Sequence, residues 1–496
     1  MEQESTTSYK QIAKSTGIFG GSQLMTILSG LVRTKVLALL LDTTGIGLAG
    51  MFQSIIDLIR SVTSLGLSFS SVKEIAEAKQ SDDPKRISST VTMLKRWLWW
   101  TGIAGMILTI AFAPVISTFT FGDKSQTFSI CLLAFCVLAG TLSSGQLALL
   151  QGMRRIGYMA KASAFGAVAG LIVSLALYNW LGIKGIVPSF VAMSVLSLFI
   201  TWWFSKKIPV EKVYQSYHET LKKGGGMVKL GLFTVGSGLI STLTLFLVRS
   251  FILQKSDVAT VGLFQASWSI SNLYLGAVLT AMGADYFPRL CGLKDNDAQI
   301  VRFVNQQTRF VLVVSTPIIV GMMLMTTPVI HLLFSSAFTP AVDLMRWQIL
   351  GTFLKVLIWP TGFVLLSKGK GLRFLMVEST WFIAYYFITM ILWPLLGLNA
   401  AGLAYVGAYL IYLPMVLILV KPLCSLTFDG RNIVLMVIYV LFVISAYLFV
   451  HFLTGWTLLI GGILLFICCL VISGFEFNQF LPTSEWIPKL KKLFRG

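Results

Sequence analysis

The chain has 496 residues, of which 56% are hydrophobic and only 12% charged, with a mean hydropathy of +0.81. A single soluble core does not use that much apolar surface, so lipid must be the solvent for most of the chain. A formal net charge of +19 would point to nucleic acid in a soluble protein. Here it implies no nucleic-acid partner, because the cations are placed according to membrane topology.

A spanning helix needs about 20 apolar residues. Windows of that kind recur at 14–41, 45–70, 97–119, 127–151, 158–180, 184–205, 230–254, 258–284, 309–334, 341–367, 374–396, 399–420, 433–453 and 455–474. They predict an all-α membrane protein of about fourteen transmembrane helices, with both termini on one side. The opening MEQESTTSYK is acidic and polar, which predicts no cleavable signal peptide and leaves the first window as the insertion signal. Of the 39 Lys and Arg, 30 fall on the side of the termini, against Lys124, Lys184 and Lys255 on the other. That bias predicts cytoplasmic termini in a bacterial inner membrane. Cys131, Cys136, Cys291, Cys424, Cys468 and Cys469 lie in predicted helices or at cytoplasmic positions without ligand spacing, so neither disulfides nor zinc are expected. The outer loops are short and leave no room for an external catalytic domain, so the chain reads as no enzyme.

A repeat with a period of roughly 215 residues runs through the sequence. Val32-Arg33-Thr34 recurs as Val248-Arg249-Ser250, Gly50-Met51-Phe52-Gln53 as Gly262-Leu263-Phe264-Gln265, and Pro114-Val115-Ile116 as Pro328-Val329-Ile330. Gly140-Thr141 matches Gly351-Thr352, and Leu181-Gly182-Ile183 matches Leu396-Gly397-Leu398. Six helices per repeat give both halves the same orientation, which predicts two pseudo-symmetric six-helix lobes related by an axis along the membrane normal. The expected organisation is an N-terminal lobe at 1–205, a basic cytoplasmic linker at 206–229 with Gly224-Gly225-Gly226, and a C-terminal lobe at 230–421. Two extra helices follow at 431–474, and then a tail at 475–496. In that tail Trp486, Ile487, Leu490, Leu493 and Phe494 stand among lysines, as in an interfacial amphipathic helix.

An ionised side chain in hydrocarbon costs at least about 2.5–3.5 kcal/mol on insertion scales, so each one must face a cavity, pair or snorkel. Arg33, Lys35, Arg60, Arg249, Arg346 and Lys355 lie in or near predicted spans, with Asp57, Asp343 and Glu378 as the anions. Asp57 and Arg60 are three residues apart and can pair, as can Asp343 and Arg346. Arg33 and Lys35 are about 200° apart on a helical wheel and cannot face one cavity. Arg33 and Arg249 occupy equivalent places in the two repeats, and Lys355 sits in mid-span, where snorkelling is least favourable. Arg33, Arg60, Arg249 and Lys355 are therefore the candidate substrate-binding cations, and Lys35, Asp57, Arg346 and Glu378 are candidates for coupling or pairing. Unpaired Arg and Lys suit a pyrophosphate, which guanidinium forks bind bidentately. They would repel a cationic drug.

The stretch Ser29-Gly30-Leu31-Val32-Arg33-Thr34-Lys35-Val36-Leu37-Ala38, with Gly45-Ile46-Gly47-Leu48, resembles the opening of Wzx-type bacterial polysaccharide flippases. Ala337-Phe338-Thr339, Asp343-Leu344, Trp347-Gln348, Leu350-Gly351, Leu354-Lys355-Val356, Gly362, Lys368, Leu372-Arg373-Phe374 and Glu378 resemble the tenth-helix region of O-antigen and lipid III flippases. That superfamily also holds MurJ-type lipid II flippases and multidrug and toxin extruders. The resemblance implies a V-shaped, two-lobed transporter working by alternating access on an undecaprenyl-pyrophosphate-linked oligosaccharide. It implies a cationic cluster at Arg33, Arg60 and Arg249, with Lys355 and Glu378 in the tenth-helix signature. Its implied partners are the lipid-linked oligosaccharide, membrane lipids, a polysaccharide polymerase and a chain-length regulator. Asp42 stands where the family pattern usually has Gly, and helices thirteen and fourteen exceed the twelve of many O-antigen flippases.

Three readings compete. A drug or cation antiporter of the same superfamily would carry an acid in its first helix, where this chain carries Arg33 and Lys35. A glycan polymerase or ligase would need a large outer loop. A lipid II flippase of the MurJ type shares the cations. No Walker A sequence is present, no cofactor is expected, and proton, sodium or membrane-potential coupling all stay open.

Overall fold

The computed structural model describes residues 2–81, 83–209 and 216–480, all or nearly all of it helical. Among the described residues the helices run α1 (Glu2–Thr63), α2 (Leu67–Gln80), α3 (Pro84–Phe121), α4 (Thr127–Gly152), α5 (Ile156–Leu181), α6 (Ile186–Lys206), α7 (Tyr217–Lys255) and α8 (Val258–Gly292). They continue as α9 (Asp297–Leu324), α10 (Thr326–Leu333), α11 (Ala341–Ser367), α12 (Gly371–Leu396), α13 (Asn399–Cys424), α14 (Gly430–Phe452) and α15 (Gly455–Phe480). Eleven stretches among the described residues are long and apolar enough to cross a membrane, and two of them, Gly21–Thr63 and Ile156–Lys206, each hold two helices in sequence. The protein is a multi-pass, all-α membrane protein. α8 is not among the eleven, and its first half carries Gln265, Ser267, Ser269, Ser271 and Asn272.

Part of the expected linker is helical, while the stretch of α7 apolar enough to cross a membrane among the described residues is Gly238–Lys255. α7 already begins at Tyr217, and residues 210–215 lie outside the described set. The amphipathic tail from 481 onward also lies outside it, whereas Phe475–Phe480 continue α15.

Asp42 divides α1 into two arms. It sits at φ 55° and ψ −159°, a left-handed conformation that glycine adopts easily and an L side chain does not. Its carboxylate accepts the Thr43 N–H at 2.8 Å, a local bond that helps hold the break. The equivalent break between α7 and α8 uses Asp257, 215 residues on, which accepts the Thr260 N–H at 2.7 Å and the Thr260 hydroxyl at 2.7 Å. Those two bonds hold the Asp257 carboxyl below the usual carboxylate range, so this cap persists until the pH falls through that lowered value.

The repeat is written in the backbone. Gly182 ends α5 at φ 56° and ψ −134°, with its N–H donating to Tyr178. Gly397 ends α12 at φ 54° and ψ −132°, with its N–H donating to Trp393, again 215 residues on. Arg154 and Gly369 both take positive φ at the preceding turn, followed in each case by an N–H that reaches back five residues, Arg155 to Leu150 and Lys370 to Leu365, both at 2.8 Å.

The contacts divide the chain into two compact units. The first holds Met1–Leu263 with Leu333–Ala337, and the second holds Phe264–Leu332 with Phe338–Gly496. In the first unit, Leu67 and Ile75 of α2, Leu94 and Leu98 of α3, and Leu149 and Leu150 of α4 form a buried cluster. In the same unit the second arm of α1 meets the start of α8 backbone to backbone. A Cβ on Gly47 would lie 2.0 Å from the Val258 carbonyl oxygen, and one on Gly262 would lie 1.9 Å from that of Thr43. This reciprocal contact makes Gly47, not the Gly50 of the sequence match, the counterpart of Gly262. Small residues at a crossing are what let helices approach this closely in lipid. In the second unit α11 and α13 use the same device, with Gly351 against the Tyr405 ring and Gly402 against Trp347.

Two outcomes follow from this geometry. Asp42→Gly relieves the strained φ and should raise stability by about 1 kcal/mol, read as a higher unfolding midpoint in detergent; a lower midpoint would show that the Thr43 bond outweighs the strain. Gly262→Ala drives a methyl into a carbonyl and should cost about 1–3 kcal/mol, with a matching loss of folded protein on size-exclusion chromatography.

Candidate functional site

Arg249 of α7 is 8% exposed and donates through Nη1 to the Ser54 hydroxyl at 2.6 Å. Ser54, in the second arm of α1, passes its own proton to the Gly50 carbonyl at 2.7 Å, so its oxygen is free to accept the guanidinium. One turn further along, Asp57 accepts the Gln53 side-chain amide at 2.9 Å and interacts electrostatically with both Arg60 and Arg249.

The helical pair expected between Asp57 and Arg60 is not a direct ion pair in the structure. Arg60 instead donates through Nη2 to the Gly140 carbonyl of α4 at 3.0 Å. The reason is local: Gly140 has no side chain, and a Cβ there would lie 2.9 Å from Arg60 Cζ. Its carbonyl is thereby exposed to a long side chain that can leave its own helix. One carboxylate serves two guanidiniums at longer range, which leaves this part of the first unit with net positive charge.

Arg33 and Lys35 diverge, as the helical wheel requires. Arg33 is half-buried, and its hydrogen-bond partner among the described residues is the Met193 thioether of α6, at 3.0 Å. A thioether is a weak acceptor for a group with five donors. Lys35 donates to the Phe334 carbonyl, a residue of the same unit. Arg33 and Arg249, matched in the sequence repeat, have different partners, a thioether on α6 for one and Ser54 with Asp57 for the other, and the 215-residue spacing of the backbone breaks aligns Arg33 with Val248 rather than with Arg249.

In the second unit Arg346 pairs with Asp343 at 2.9 Å, and the arginine side chain is only 16% exposed, so that charge is neutralised on its own helix. Lys355 of α11 interacts electrostatically with Glu378 of α12, which accepts the Tyr412 hydroxyl of α13 at 2.7 Å. Three helices thus meet at one carboxyl. Behind it Trp381, Tyr405 and Tyr409 pack ring against ring, with centroids 5.1–5.4 Å apart. A separate buried centre forms at Gln348, whose side-chain oxygen accepts Ser267 at 2.6 Å and Ser271 at 2.9 Å from α8.

Sequence reading did not single out Ser54, Gly140, Met193 or Tyr412 as site residues. Ser267 and Ser271 carried a usable signal, since serines four apart lie on one helical face, within a stretch that also holds Gln265, Ser269 and Asn272. The others carried none, because a lone serine, glycine or methionine in a membrane helix is ordinary. No group of three or more side chains with metal-ligating chemistry occurs among the described residues.

The polysaccharide biosynthesis protein family matches residues 36–343. The chain is 24% identical to the Lipid III flippase of Escherichia coli (strain K12) over 408 residues, which cover 81% of this chain and 96% of that protein. It is 23% identical to Stage V sporulation protein B of Bacillus subtilis (strain 168) over 415 residues, covering 79% and 74% of the two chains. The fold is similar to that of Lipid II flippase MurJ in an inward closed conformation, with TM-score 0.69, 16% identity, and coverage of 93% of this chain and 99% of that one. It is also similar to an inward-facing multidrug resistance MATE family transporter of the MOP superfamily, with TM-score 0.65, 14% identity, and coverage of 81% and 96%. At these identities the likeness to the solved structures is one of fold. The family match spans more than half of the sequence, from the first arm of α1 to the start of α11, and the chain belongs to the polysaccharide biosynthesis protein family.

Proposed function

We propose that the protein is a flippase that carries an undecaprenyl-pyrophosphate-linked oligosaccharide, of the O-antigen or a related surface-polysaccharide class, to the outer leaflet of a bacterial inner membrane. Its termini are cytoplasmic, and it works by alternating access of its two six-helix repeats rather than by catalysis. The reading rests on one observation above all: Arg33, half-buried in a membrane-spanning arm, has a thioether as its hydrogen-bond partner among the described residues. A pyrophosphate supplies the strong acceptor that none of the described residues gives it there. Arg60 and Arg249, which share Asp57, add positive potential in the same unit. The relative named Lipid III flippase supports a lipid-linked cargo, and a polysaccharide polymerase and a chain-length regulator are the further partners of this reading.

Arg33→Ala should lower surface glycan about tenfold or more at normal membrane abundance, as expected for losing one charge-assisted contact of about 1.5–3 kcal/mol. Arg33→Lys should fall between. The measurement is complementation of strains lacking a lipid III or an O-antigen flippase. Full surface glycan from Arg33→Ala would overturn the cationic mechanism, and rescue restricted to a strain lacking its lipid II flippase would replace the proposed cargo. Arg249→Ala is expected to differ by also reducing abundance, because it removes a charge-assisted hydrogen bond to buried Ser54 worth about 1.5–3 kcal/mol together with a positive neighbour of Asp57.

Glu378 is the residue we assign to energy coupling, with Lys355, Tyr409 and Tyr412 as the titratable groups beside it. Glu378→Gln keeps an oxygen for the Tyr412 hydroxyl and removes the charge. Transport by this variant in vesicles should lose its response to an imposed proton or sodium gradient while cargo binding persists. A gradient response equal to that of the parent would remove Glu378 from coupling.

A further inference from the structure

The first unit contains a cavity of about 920 Å³ that the proposed transport route does not use. It lies between α3, α4 and α6, and its inner wall is the buried surface of Leu94, Leu98 and Leu149. The open side is apolar and aromatic: Trp99, Val195, Phe199 and Trp202 are each about half exposed, in helices long and apolar enough to cross a membrane. Whatever covers them is therefore apolar. A glycine sets the depth of the trough, because a Cβ on Gly145 would lie 1.9 Å from a Leu98 methyl group, so α3 and α4 can approach closely at this point.

One end of the trough is charged. Lys95 of α3 and Lys206 of α6 both line it and both are exposed. The Lys206 ammonium lies 5.2 Å from the Trp202 ring centroid, which holds the cation at the edge of the apolar surface. Both lysines belong to the cation-rich side of the sequence, and a tryptophan beside lysine is the arrangement found at the lipid headgroup level. A basic pocket between membrane helices on that side selects acidic lipid headgroups. Two lysines are point charges without the fork that a pyrophosphate fills bidentately, so a single phosphodiester matches them better.

We propose that this trough is a binding site for an anionic membrane phospholipid, its acyl chain lying between α3, α4 and α6 and its phosphodiester held by Lys95 and Lys206. The site is independent of the proposed cargo, because none of Arg33, Arg60 and Arg249 lines it. The occupant is a resident lipid of the membrane that carries the protein.

Native mass spectrometry of the full chain, released from nanodiscs of equal parts phosphatidylglycerol and phosphatidylcholine, tests this directly. The parent should retain phosphatidylglycerol at least about tenfold over phosphatidylcholine. The doubly reversed variant Lys95→Glu with Lys206→Glu should lose that preference, and Val195→Trp, which fills the trough without changing charge, should retain neither lipid. Arg33→Ala should retain phosphatidylglycerol as the parent does, which separates this site from the transport reading. Equal retention of the two lipids by the parent, or unchanged retention by both groove variants, would overturn the proposal. So would displacement of phosphatidylglycerol by a short polyprenyl pyrophosphate from the parent but not from Arg33→Ala, since the lipid would then sit in the cargo route. The melting temperature of each variant identifies any loss that comes from unfolding, and the two groove variants fail by unrelated routes.

Discussion

Hydrocarbon offers no hydrogen bonds, and an arginine placed in it must find its acceptors in the protein or in what the protein binds. Arg249 finds Ser54, and Arg60 finds the Gly140 carbonyl, with Asp57 between them in charge. Those acceptors stand on α1 and α4 while the donors stand on α1 and α7, so satisfying two guanidiniums ties three helices together. Backbone access is part of the same constraint. Gly140 admits Arg60 because it lacks a side chain, and Gly47 and Gly262 let two helix backbones touch for the same reason. In lipid there is no hydrophobic drive to bring helices together, so such close contacts and polar bonds carry much of the packing.

The second unit meets the constraint by a different route. Arg346 is neutralised three residues away by Asp343, and Glu378 is covered by Tyr412 and faces Lys355. Gln348 collects two serines of α8. Arg346, Lys355 and Glu378 therefore have opposite charges or a hydroxyl close by. In the first unit the cations Arg33, Lys35, Arg60 and Arg249 stand against Asp57 and, at the helix break, Asp42. The excess of cations is thus concentrated in the first unit.

Much of the fold was legible from one-dimensional patterns. Hydropathy placed the helices because a spanning segment must be about 20 residues long whatever surrounds it. The repeat was visible in short matches, and the structure shows where such matching is coarse: Gly262 answers to Gly47, which the reciprocal carbonyl contacts reveal and residue identity alone does not. Asp42 was noticeable as a departure from a glycine, and its positive φ supplies the physical meaning of that departure. Asp57 and Arg60 interact in charge, as their spacing allows, but Arg60 donates its hydrogen bond to Gly140, because spacing along a helix says which side chains can meet, not whether a better acceptor waits on the next helix.

The sequence by itself determined the solvent, the all-helical class, the internal repeat and the excess of intramembrane cations. Each of these is a sum over local composition and needs no partner. Tertiary structure alone decided which acceptor each cation received, since Arg60 reaches Gly140, Arg249 reaches Ser54 and Glu378 meets Tyr412 across separate helices. It also decided that a trough opens between α3, α4 and α6. The physical reason is that a hydrogen bond of about 3 Å depends on helix crossings and side-chain rotamers. Those are settled by packing between segments far apart in the chain, and no local pattern records them.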